Sequence, residues 1–259
     1  MKKVTKLLSL VLALSIGAVC FTGCGEKKVE EADGEFSMET LNIGTNAEFP
    51  PFEFIDSEAG VIDEFAGIDM EIIKNVAESI GAKPVINNID FDGLLIALEN
   101  GQIDCVIAGM TVTDERKEAV DFSETYYTAT QVMIVPEDST IEKAADIADK
   151  KIGVIDGYTG QTCIEELGYP FSGYKKGADA VLDVANGKLD VVVIDSITAD
   201  KFVAENEGLK VVTDPDAFGE EKYAIAVKKG NTELLEAVNK AIKFMNETGE
   251  IGNISAKYN

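Results

Sequence analysis

The chain of 259 residues contains no histidine and no tryptophan. Without histidine, Ser-His-Asp and Cys-His catalysis are excluded, together with the commonest nitrogen ligand of zinc. Basic residues are also scarce, because 23 Lys and Arg stand against 47 Asp and Glu and give a formal net charge of -24. A surface of this charge repels the phosphates of nucleic acids. The composition therefore argues against most hydrolases, and we expect no nucleic-acid partner.

The N-terminus has the pattern of an export signal. Three lysines within the first six residues precede an apolar stretch over residues 7–19, which is too short to span a bilayer comfortably. The stretch ends shortly before Cys24, and this end resembles a bacterial lipoprotein signal, in which a cysteine is lipidated after cleavage. We predict a signal peptide over residues 1–23, lipidation of Cys24 and a polar tether over residues 24–39. The alternative is an ordinary secretory signal in which Cys24 has no role.

Strands and helices alternate along the rest of the chain. Residues 103–108 form a run that is apolar apart from Asp104 and is typical of a strand that is covered on both faces. Residues 67–80 and 232–247 carry apolar residues at helical spacing. This alternation predicts open α/β sheets rather than a sandwich or a helix bundle.

Two strands are predicted to connect two α/β lobes. Residues 132–135 follow the first α/β block, and residues 223–227 follow the second. We predict lobe 1 over residues 40–131 and 223–259, and lobe 2 over residues 132–222. Two strands that join two lobes form a hinge, with a ligand cleft between the lobes.

Five segments carry a resemblance to a known family. They read NIGTNAEFPPFEF (residues 42–54), FAGID (65–69), IDCVIAGMTVTDERKEAVDFS (103–123), DGYTGQ (156–161) and DVVVID (190–195). In this order they resemble the polar amino-acid-binding proteins of ABC transporters, solute-binding family 3. The middle segment is the most specific, because it combines Gly-x-Thr with a later arginine and an Asp-Phe-Ser. The resemblance implies an α/β, two-lobed periplasmic-binding-protein fold of type II, in which each lobe is an open mixed sheet flanked by helices and two strands form the hinge.

The resemblance assigns the α-carboxylate of an amino-acid ligand to Arg116, whose planar paired donors suit a carboxylate better than a lysine does. It also assigns backbone and hydroxyl contacts to Gly109 and Thr111. Thr159 and Gly160 are expected to face the same carboxylate from the second lobe, where a helix N-terminus favours an anion. Without the motif, Arg116 is interpreted as a solvated helix residue and Thr159 as a helix N-cap.

Asp195 matches the family's ammonium-binding aspartate. It ends an apolar strand, where side chains emerge at the crevice of an open α/β sheet. Asp190 begins that strand and is a weaker candidate. Phe49 and Phe91 match aromatic positions that flank the ligand side chain, whereas core packing is the commoner fate of a phenylalanine.

Three other polar residues belong to the same segments or to the hinge. Asn46 stands where many relatives carry aspartate, and an amide both donates and accepts, so it does not demand a cationic ligand. Gln131 immediately precedes the predicted hinge strand and is expected to reach the cleft. Asp69 is expected to organise its helix rather than to touch the ligand.

The resemblance implies an extracytoplasmic protein that captures a free L-amino acid, polar or basic, and delivers it to the permease of an ABC transporter. We expect a monomer at the outer face of the cell membrane, attached only by its lipid anchor. No catalytic residue, cofactor or metal is predicted, and the sequence has no Gly-x-x-x-x-Gly-Lys phosphate loop. Two alternatives stay open: an enzyme on the same scaffold, similar to cyclohexadienyl dehydratase, and a ligand-sensing subunit.

Overall fold

A computed structural model describes residues 36–258 of the chain. The predicted signal peptide over residues 1–23, the predicted lipidation site Cys24 and the first part of the predicted tether lie outside the described residues. Within the described range, no helix is long and apolar enough to cross a membrane.

The described residues form eight α-helices, two of which end the chain. The helices are α1 Ile68–Ser79, α2 Leu94–Glu99, α3 Asp114–Ala119, α4 Thr159–Leu167, α5 Gly177–Ala185, α6 Ser196–Glu205, α7 Thr232–Thr248 and α8 Glu250–Tyr258. The helices predicted over residues 67–80 and 232–247 are confirmed as α1 and α7. Helix α8 was not predicted.

Twelve strands accompany these helices in the described range. They are β1 Thr40–Thr45, β2 Glu48–Phe49, β3 Glu53–Ile55, β4 Phe65–Ala66, β5 Lys83–Asn88, β6 Cys105–Val106, β7 Val120–Pro136, β8 Ile152–Ile155, β9 Phe171–Tyr174, β10 Val191–Asp195, β11 Leu209–Val212 and β12 Glu220–Lys228. Nine of them form one mixed sheet in the order β5-β1-β6-β12-β7-β10-β8-β9, with β11 also paired to β7. The remaining three, β2, β3 and β4, form a small antiparallel sheet.

The long strand β7 is shared between two halves of the sheet. From Val120 to Thr130 it pairs antiparallel with β12, and from Gln131 to Pro136 it pairs antiparallel with β10 and β11. The first lobe therefore contains β5, β1, β6, β12 and the start of β7, and the second lobe contains the end of β7 with β10, β8, β9 and β11. The two-lobed α/β fold with open mixed sheets is confirmed.

Helix α7 shows how the sequence sets the local structure. Its buried residues recur at helical spacing, so one face packs on the first lobe: Leu234, Val238, Ala241, Ile242 and Met245. The side chain of Asn231 accepts a hydrogen bond from the backbone N–H of Leu234 and caps the N-terminus. Gly249 ends the helix at φ 74°, a left-handed conformation that glycine adopts without steric cost.

The apolar core continues from one lobe into the other. A large cluster of buried side chains includes Leu41 and Ile43 of the first lobe and also Val192 and Ile194 of the second. A smaller cluster, which includes Met133, lies entirely within residues 133–218. Strands β8 and β10 of the second lobe are therefore covered on both faces, as their uninterrupted apolar sequences predict.

Candidate functional site

A small cavity lies in the crevice between the two lobes. Nine residues line it: Phe49, Phe91, Ala108, Gly109, Thr111, Arg116, Tyr158, Thr159 and Asp195. Seven of these were predicted from the sequence, and Ala108 and Tyr158 were not. The cavity receives side chains from β2, α3 and the end of β6 on one side and from α4 and β10 on the other, so both lobes contribute to its wall.

Three aromatic rings form one part of the wall. The ring centroid of Tyr158 lies 5.4 Å from that of Phe49 and 4.4 Å from that of Phe91. The guanidinium carbon of Arg116 lies 5.3 Å from the centre of the Phe91 ring, within the range of a cation–π contact. The rings give the cavity apolar surfaces beside a fixed positive charge.

Helix α3 fixes the position of Arg116. The hydroxyl of Thr113 accepts a hydrogen bond from the backbone N–H of Arg116 at 3.1 Å, so Thr113 is the N-cap of the helix. The guanidinium donates from Nη1 to the backbone oxygen of Thr111 at 2.7 Å and from Nη2 to that of Gly157 at 2.9 Å. Burial lowers the pKa of Arg116 from its ordinary value, and the nearby carboxylates of Glu221 and Asp195 oppose that shift. Arginine stays charged under these conditions.

Two threonine hydroxyls meet on the carboxylate of Glu221, a residue that the sequence analysis did not identify. Thr111 Oγ1 and Thr159 Oγ1 both donate to Glu221 Oε2, each at 2.8 Å. Gln131 Nε2 donates to Thr159 Oγ1 at 3.2 Å. Glu221 lies on β12, and no motif in its surroundings distinguishes it from other acidic residues at a strand start.

Asp195 supplies a buried carboxylate at the end of β10. Its Oδ1 accepts a hydrogen bond from the hydroxyl of Tyr223 at 2.5 Å. The pKa of Asp195 is raised to about 7, first by burial and then by the charge of Glu221, while the hydrogen bond from Tyr223 opposes the increase. The Asp195 carboxylate and the Arg116 guanidinium therefore line one cavity with opposite charges.

The buried carboxylate of Asp69 fixes the backbone at Gly109 by a hydrogen bond. Asp69 Oδ2 accepts from the backbone N–H of Gly109 at 2.8 Å and from the hydroxyl of Tyr126 at 3.0 Å. Gly109 has φ +52°, and a Cβ added there would meet the Phe49 ring at 2.6 Å, so only glycine fits. Asp69 does not line the cavity, but it accepts a hydrogen bond from Gly109, which does.

Glu53 lies beside Asp69, and neither is exposed to solvent. Burial raises the pKa of Glu53 well above its ordinary value, and the charge of Asp69 adds to the effect. Burial also raises the pKa of Asp69 to about 6, although the hydrogen bond from Gly109 lowers it.

Three of the predicted site residues, Asn46, Gln131 and Gly160, do not line the cavity. The side-chain amide of Asn46 is buried and donates to the backbone oxygen of Ile89. Gly160 packs against Gln131 and the β10 backbone, since a Cβ there would lie 2.8 Å from Gln131 Oε1. Helix α4 begins at Thr159, and Tyr158 is its N-cap residue, so the alternative of Thr159 as N-cap is wrong. The weaker candidate Asp190 is remote, because its carboxylate binds the backbone N–H of Lys151 at the other end of the strand.

An open groove of about 650 Å³ adjoins the cavity. It shares Phe91, Arg116, Tyr158 and Thr159 with the cavity wall. Its other lining residues include five carboxylates: Asp92, Asp114, Glu115, Glu165 and Glu166. Within residues 36–258, no group of three or more His, Cys, Asp or Glu side chains is arranged to hold a metal ion.

Exposed ion pairs connect the lobes beside the cavity. Lys175 Nζ lies 2.6 Å from Asp92 Oδ2, and Lys176 Nζ lies 2.6 Å from Glu48 Oε1. Both lysines follow β9 of the second lobe, and both acids belong to the first lobe. The sequence analysis did not identify these pairs.

The chain is similar to known amino-acid-binding proteins along most of its length. The profile of the bacterial extracellular solute-binding proteins, family 3, matches residues 41–259. The arginine-binding extracellular protein ArtP of Bacillus subtilis (strain 168) is 31% identical over 253 residues, which cover 96% of each chain. A probable histidine-binding protein of Neisseria gonorrhoeae is 33% identical over 96% of this chain and 94% of that protein.

Solved structures give the same result. The arginine-, lysine-, histidine-binding protein ArtJ from Geobacillus stearothermophilus has a TM-score of 0.79 and 32% identity, and the match covers 85% of this chain and 95% of that chain. An ancestral arginine-binding protein bound to glutamine has a TM-score of 0.79 and 38% identity, with 85% and 98% covered. The chain belongs to the bacterial extracellular solute-binding proteins of family 3.

Proposed function

We propose that this protein captures a free L-amino acid in the cavity between its lobes and delivers it to the permease of an ABC transporter. The observation that carries the proposal is the pair of opposite charges on one cavity wall, Arg116 from the first lobe and Asp195 from the second. An α-amino acid carries a carboxylate and an ammonium, so it complements both charges at once. A ligand that contacts both lobes favours the arrangement in which they are in contact.

The α-carboxylate is assigned to Arg116 and to the groups around it. Its guanidinium offers paired donors, and Gly109 and Thr111 lie on the same wall. Thr159 and Gly160 approach from the first turn of α4, where free backbone N–H groups and the helix dipole attract an anion.

The α-ammonium is assigned to Asp195, and the ligand side chain to the aromatic rings. Phe49 and Phe91 keep their proposed role as flanking rings, and Tyr158 joins them. Asn46 and Gln131 lie behind the wall, so we assign them a supporting role; Gln131 orients the Thr159 hydroxyl.

A polar or basic side chain fits the surroundings best. The five carboxylates of the adjoining groove attract cations, and aromatic rings bind ammonium and guanidinium groups on their faces. The named ligands of the relatives include arginine and histidine, and one structural relative holds glutamine.

We propose binding without turnover. A dehydratase needs an acid or base positioned in the cavity. Glu53 is fully buried and does not line the cavity, and Asp195, the carboxylate that does, is assigned to the ligand ammonium. The relatives named above are binding proteins.

The remaining expectations concern the whole protein in the cell. We place the lobe boundaries after residues 131 and 222, near the point where β7 exchanges β12 for β10 as its partner. We also propose a monomer that is exported and attached to the outer face of the membrane through lipidated Cys24.

A thermal-shift screen against the common L-amino acids tests the proposal. The protein is first unfolded and refolded to remove any co-purified ligand. At a hundredfold excess over Kd, binding stabilises the native state by about 2.7 kcal/mol, which raises the melting temperature measurably. We expect a shift with one amino acid or one related group. A shift only with cyclohexadienyl acids, followed by their turnover, would replace the proposal with the enzyme alternative.

Sensing is separated from transport by a growth assay. Cells that depend on the amino acid for growth are compared with and without the protein and its permease. Growth that needs both supports delivery, and growth that needs neither supports the sensing subunit.

A further inference from the structure

The carboxylate of Glu221 accepts hydrogen bonds from the hydroxyls of two threonines that belong to opposite lobes. Thr111 Oγ1 and Thr159 Oγ1 lie 2.8 Å from the same oxygen, Glu221 Oε2. A carboxylate has no proton to give, so both hydroxyls are the donors. Gln131 Nε2 donates a hydrogen bond to Thr159 Oγ1. This oxygen therefore accepts from Gln131 and donates its own proton to Glu221.

The same hydroxyls line the cavity that we assign to the ligand. Each hydroxyl has one proton, and a proton that is donated to Glu221 is not available to a second acceptor. Glu221 itself does not line the cavity. It therefore competes with a ligand carboxylate for protons and not for space.

The charge of Glu221 acts in the same direction. Among the charged groups around Arg116, Glu221 has the largest effect on the guanidinium, and it is also the charge that most raises the pKa of Asp195. Glu221 thus lies close to both proposed anchoring groups. The negative charge of Glu221 therefore repels a ligand carboxylate that approaches Arg116.

We propose that Glu221 lowers the affinity of the site by competing with the ligand's α-carboxylate for the hydroxyl protons of Thr111 and Thr159. This inference rests on the proposed function, because it needs an amino-acid ligand in the cavity. Binding then requires both hydroxyls to turn away from Glu221, and the affinity is set by the difference between two sets of similar hydrogen bonds. Glu221 is an affinity-determining residue that touches no ligand.

The test compares Glu221→Gln with the wild-type protein by titration calorimetry. An amide at this position has no charge and donates as well as accepts, so it releases hydroxyl protons for the ligand. The probes are L-arginine and L-glutamine, together with agmatine and 4-aminobutanamide, which are the same molecules without the α-carboxylate. Each amino acid is compared with its own analogue, so the effect of the side chain, which the two molecules share, cancels. We expect Glu221→Gln to improve the binding of the amino acid about tenfold relative to its carboxylate-free analogue, as for one hydrogen bond to a charged group.

Two further variants make the result specific. Glu220→Gln removes the same charge from the neighbouring exposed residue and is expected to change neither pair. In a Thr159→Val background, the gain from Glu221→Gln is expected to shrink, because one of the two contested hydroxyls is gone. The melting temperature of each ligand-free variant confirms that it is folded.

The outcomes separate the inference from the function. A tenfold gain for the amino acids alone supports the inference. Equal or weaker binding by Glu221→Gln, while the wild-type protein still binds, overturns it and leaves the proposed function intact; Glu221 then serves only to hold Thr111 and Thr159 together across the lobes. If neither protein binds either amino acid, the proposed function fails and the inference fails with it.

Discussion

Arg116, on a helix of the first lobe, donates a hydrogen bond at 2.9 Å to the backbone oxygen of Gly157 in the second lobe. The same guanidinium donates to the backbone oxygen of Thr111 in its own lobe. The Arg116 side chain thus makes a hydrogen bond to each lobe and also lines the cavity. The proposed carboxylate clamp is therefore part of the contact by which the lobes meet.

Replacement of Arg116 is the first prediction. Arg116→Ala is expected to weaken amino-acid binding on the order of 100-fold or more, because the ligand carboxylate loses its charged partner. Arg116→Lys keeps the charge but not the paired donors, so we expect an intermediate loss. Titration calorimetry measures both, and thermal melting verifies that this partly buried position tolerates the change.

Lys117→Ala is the matched control for Arg116. Lys117 is exposed on the same helix, and its only ion pair in the described range joins it to Asp114 at 3.0 Å. Binding by this variant is expected to equal that of the wild-type protein. Micromolar affinity retained by Arg116→Ala would remove the clamp assignment.

The sequence predicted the parts of the site that lie in local motifs. Arg116, Thr111 and Gly109 belong to one segment of 21 residues, and Asp195 ends a strand that its apolar run already marked. Strand ends and helix starts follow from local spacing, so residues at such points can be placed without a structure.

The sequence did not predict contacts between distant segments. Glu221 meets Thr111 over 110 positions and Thr159 over 62, and Lys175 meets Asp92 over 83. Nothing near Glu221 or Lys175 differs from an ordinary solvated charge. Such partners depend on how the lobes pack, and local periodicity contains no information on that packing.

A short strand was missed for a different reason. Strand β9 consists of Phe171–Tyr174, and none of its residues is fully buried. It pairs with β8 at the edge of the sheet, so it needs no apolar pattern. Apolar patterning and β-propensity are therefore weak predictors of such edge strands.

A second prediction concerns the pH dependence of binding. Asp195 has a pKa of about 7 because it is buried near Glu221, and only its ionised form attracts the ligand ammonium. Affinity is therefore expected to fall as the pH decreases below about 7, by up to about tenfold per pH unit. Titration calorimetry between about pH 5 and about pH 8 measures this slope.

Asp195→Asn provides the comparison. Without a carboxylate, binding is expected to be weaker on the order of 100-fold and to lose the slope with pH. The same slope in wild-type protein and variant would show that another group is responsible.

A third prediction concerns the ion pairs that join the lobes. The double variant Lys175→Ala, Lys176→Ala removes the pairs with Asp92 and Glu48, and we expect amino-acid binding to weaken roughly two- to fivefold at low salt. The difference is expected to vanish near 1 M salt, where the Debye length is about 3 Å. Calorimetry at low and high salt tests both statements.

Lys188→Ala serves as the control for the loss of a lysine. Its pair with Asp183 has a length of 2.7 Å but lies within the second lobe, so it does not hold the lobes together. If Lys188→Ala weakens binding as much as the double variant does, general charge and not lobe contact is the cause.

The buried pair Glu53 and Asp69 gives the last prediction, on stability. The native pKa of Asp69 is about 6 against 3.8 without the fold, and that of Glu53 is raised well above its ordinary value. Between about pH 4 and about pH 6 the native state therefore holds a proton that the unfolded chain has released. The free energy of unfolding is expected to fall as the pH rises through this window, by at most about 1.4 kcal/mol per pH unit for one proton.

Glu53→Gln removes one of the two acids, so the fall is expected to be shallower, though not absent, because Asp195 titrates in a similar way. Urea unfolding at several pH values measures the slope, and Glu64→Gln, at an exposed position, controls for the lost charge. Equal slopes for wild-type protein and Glu53→Gln would mean that Glu53 holds no proton in this pH window.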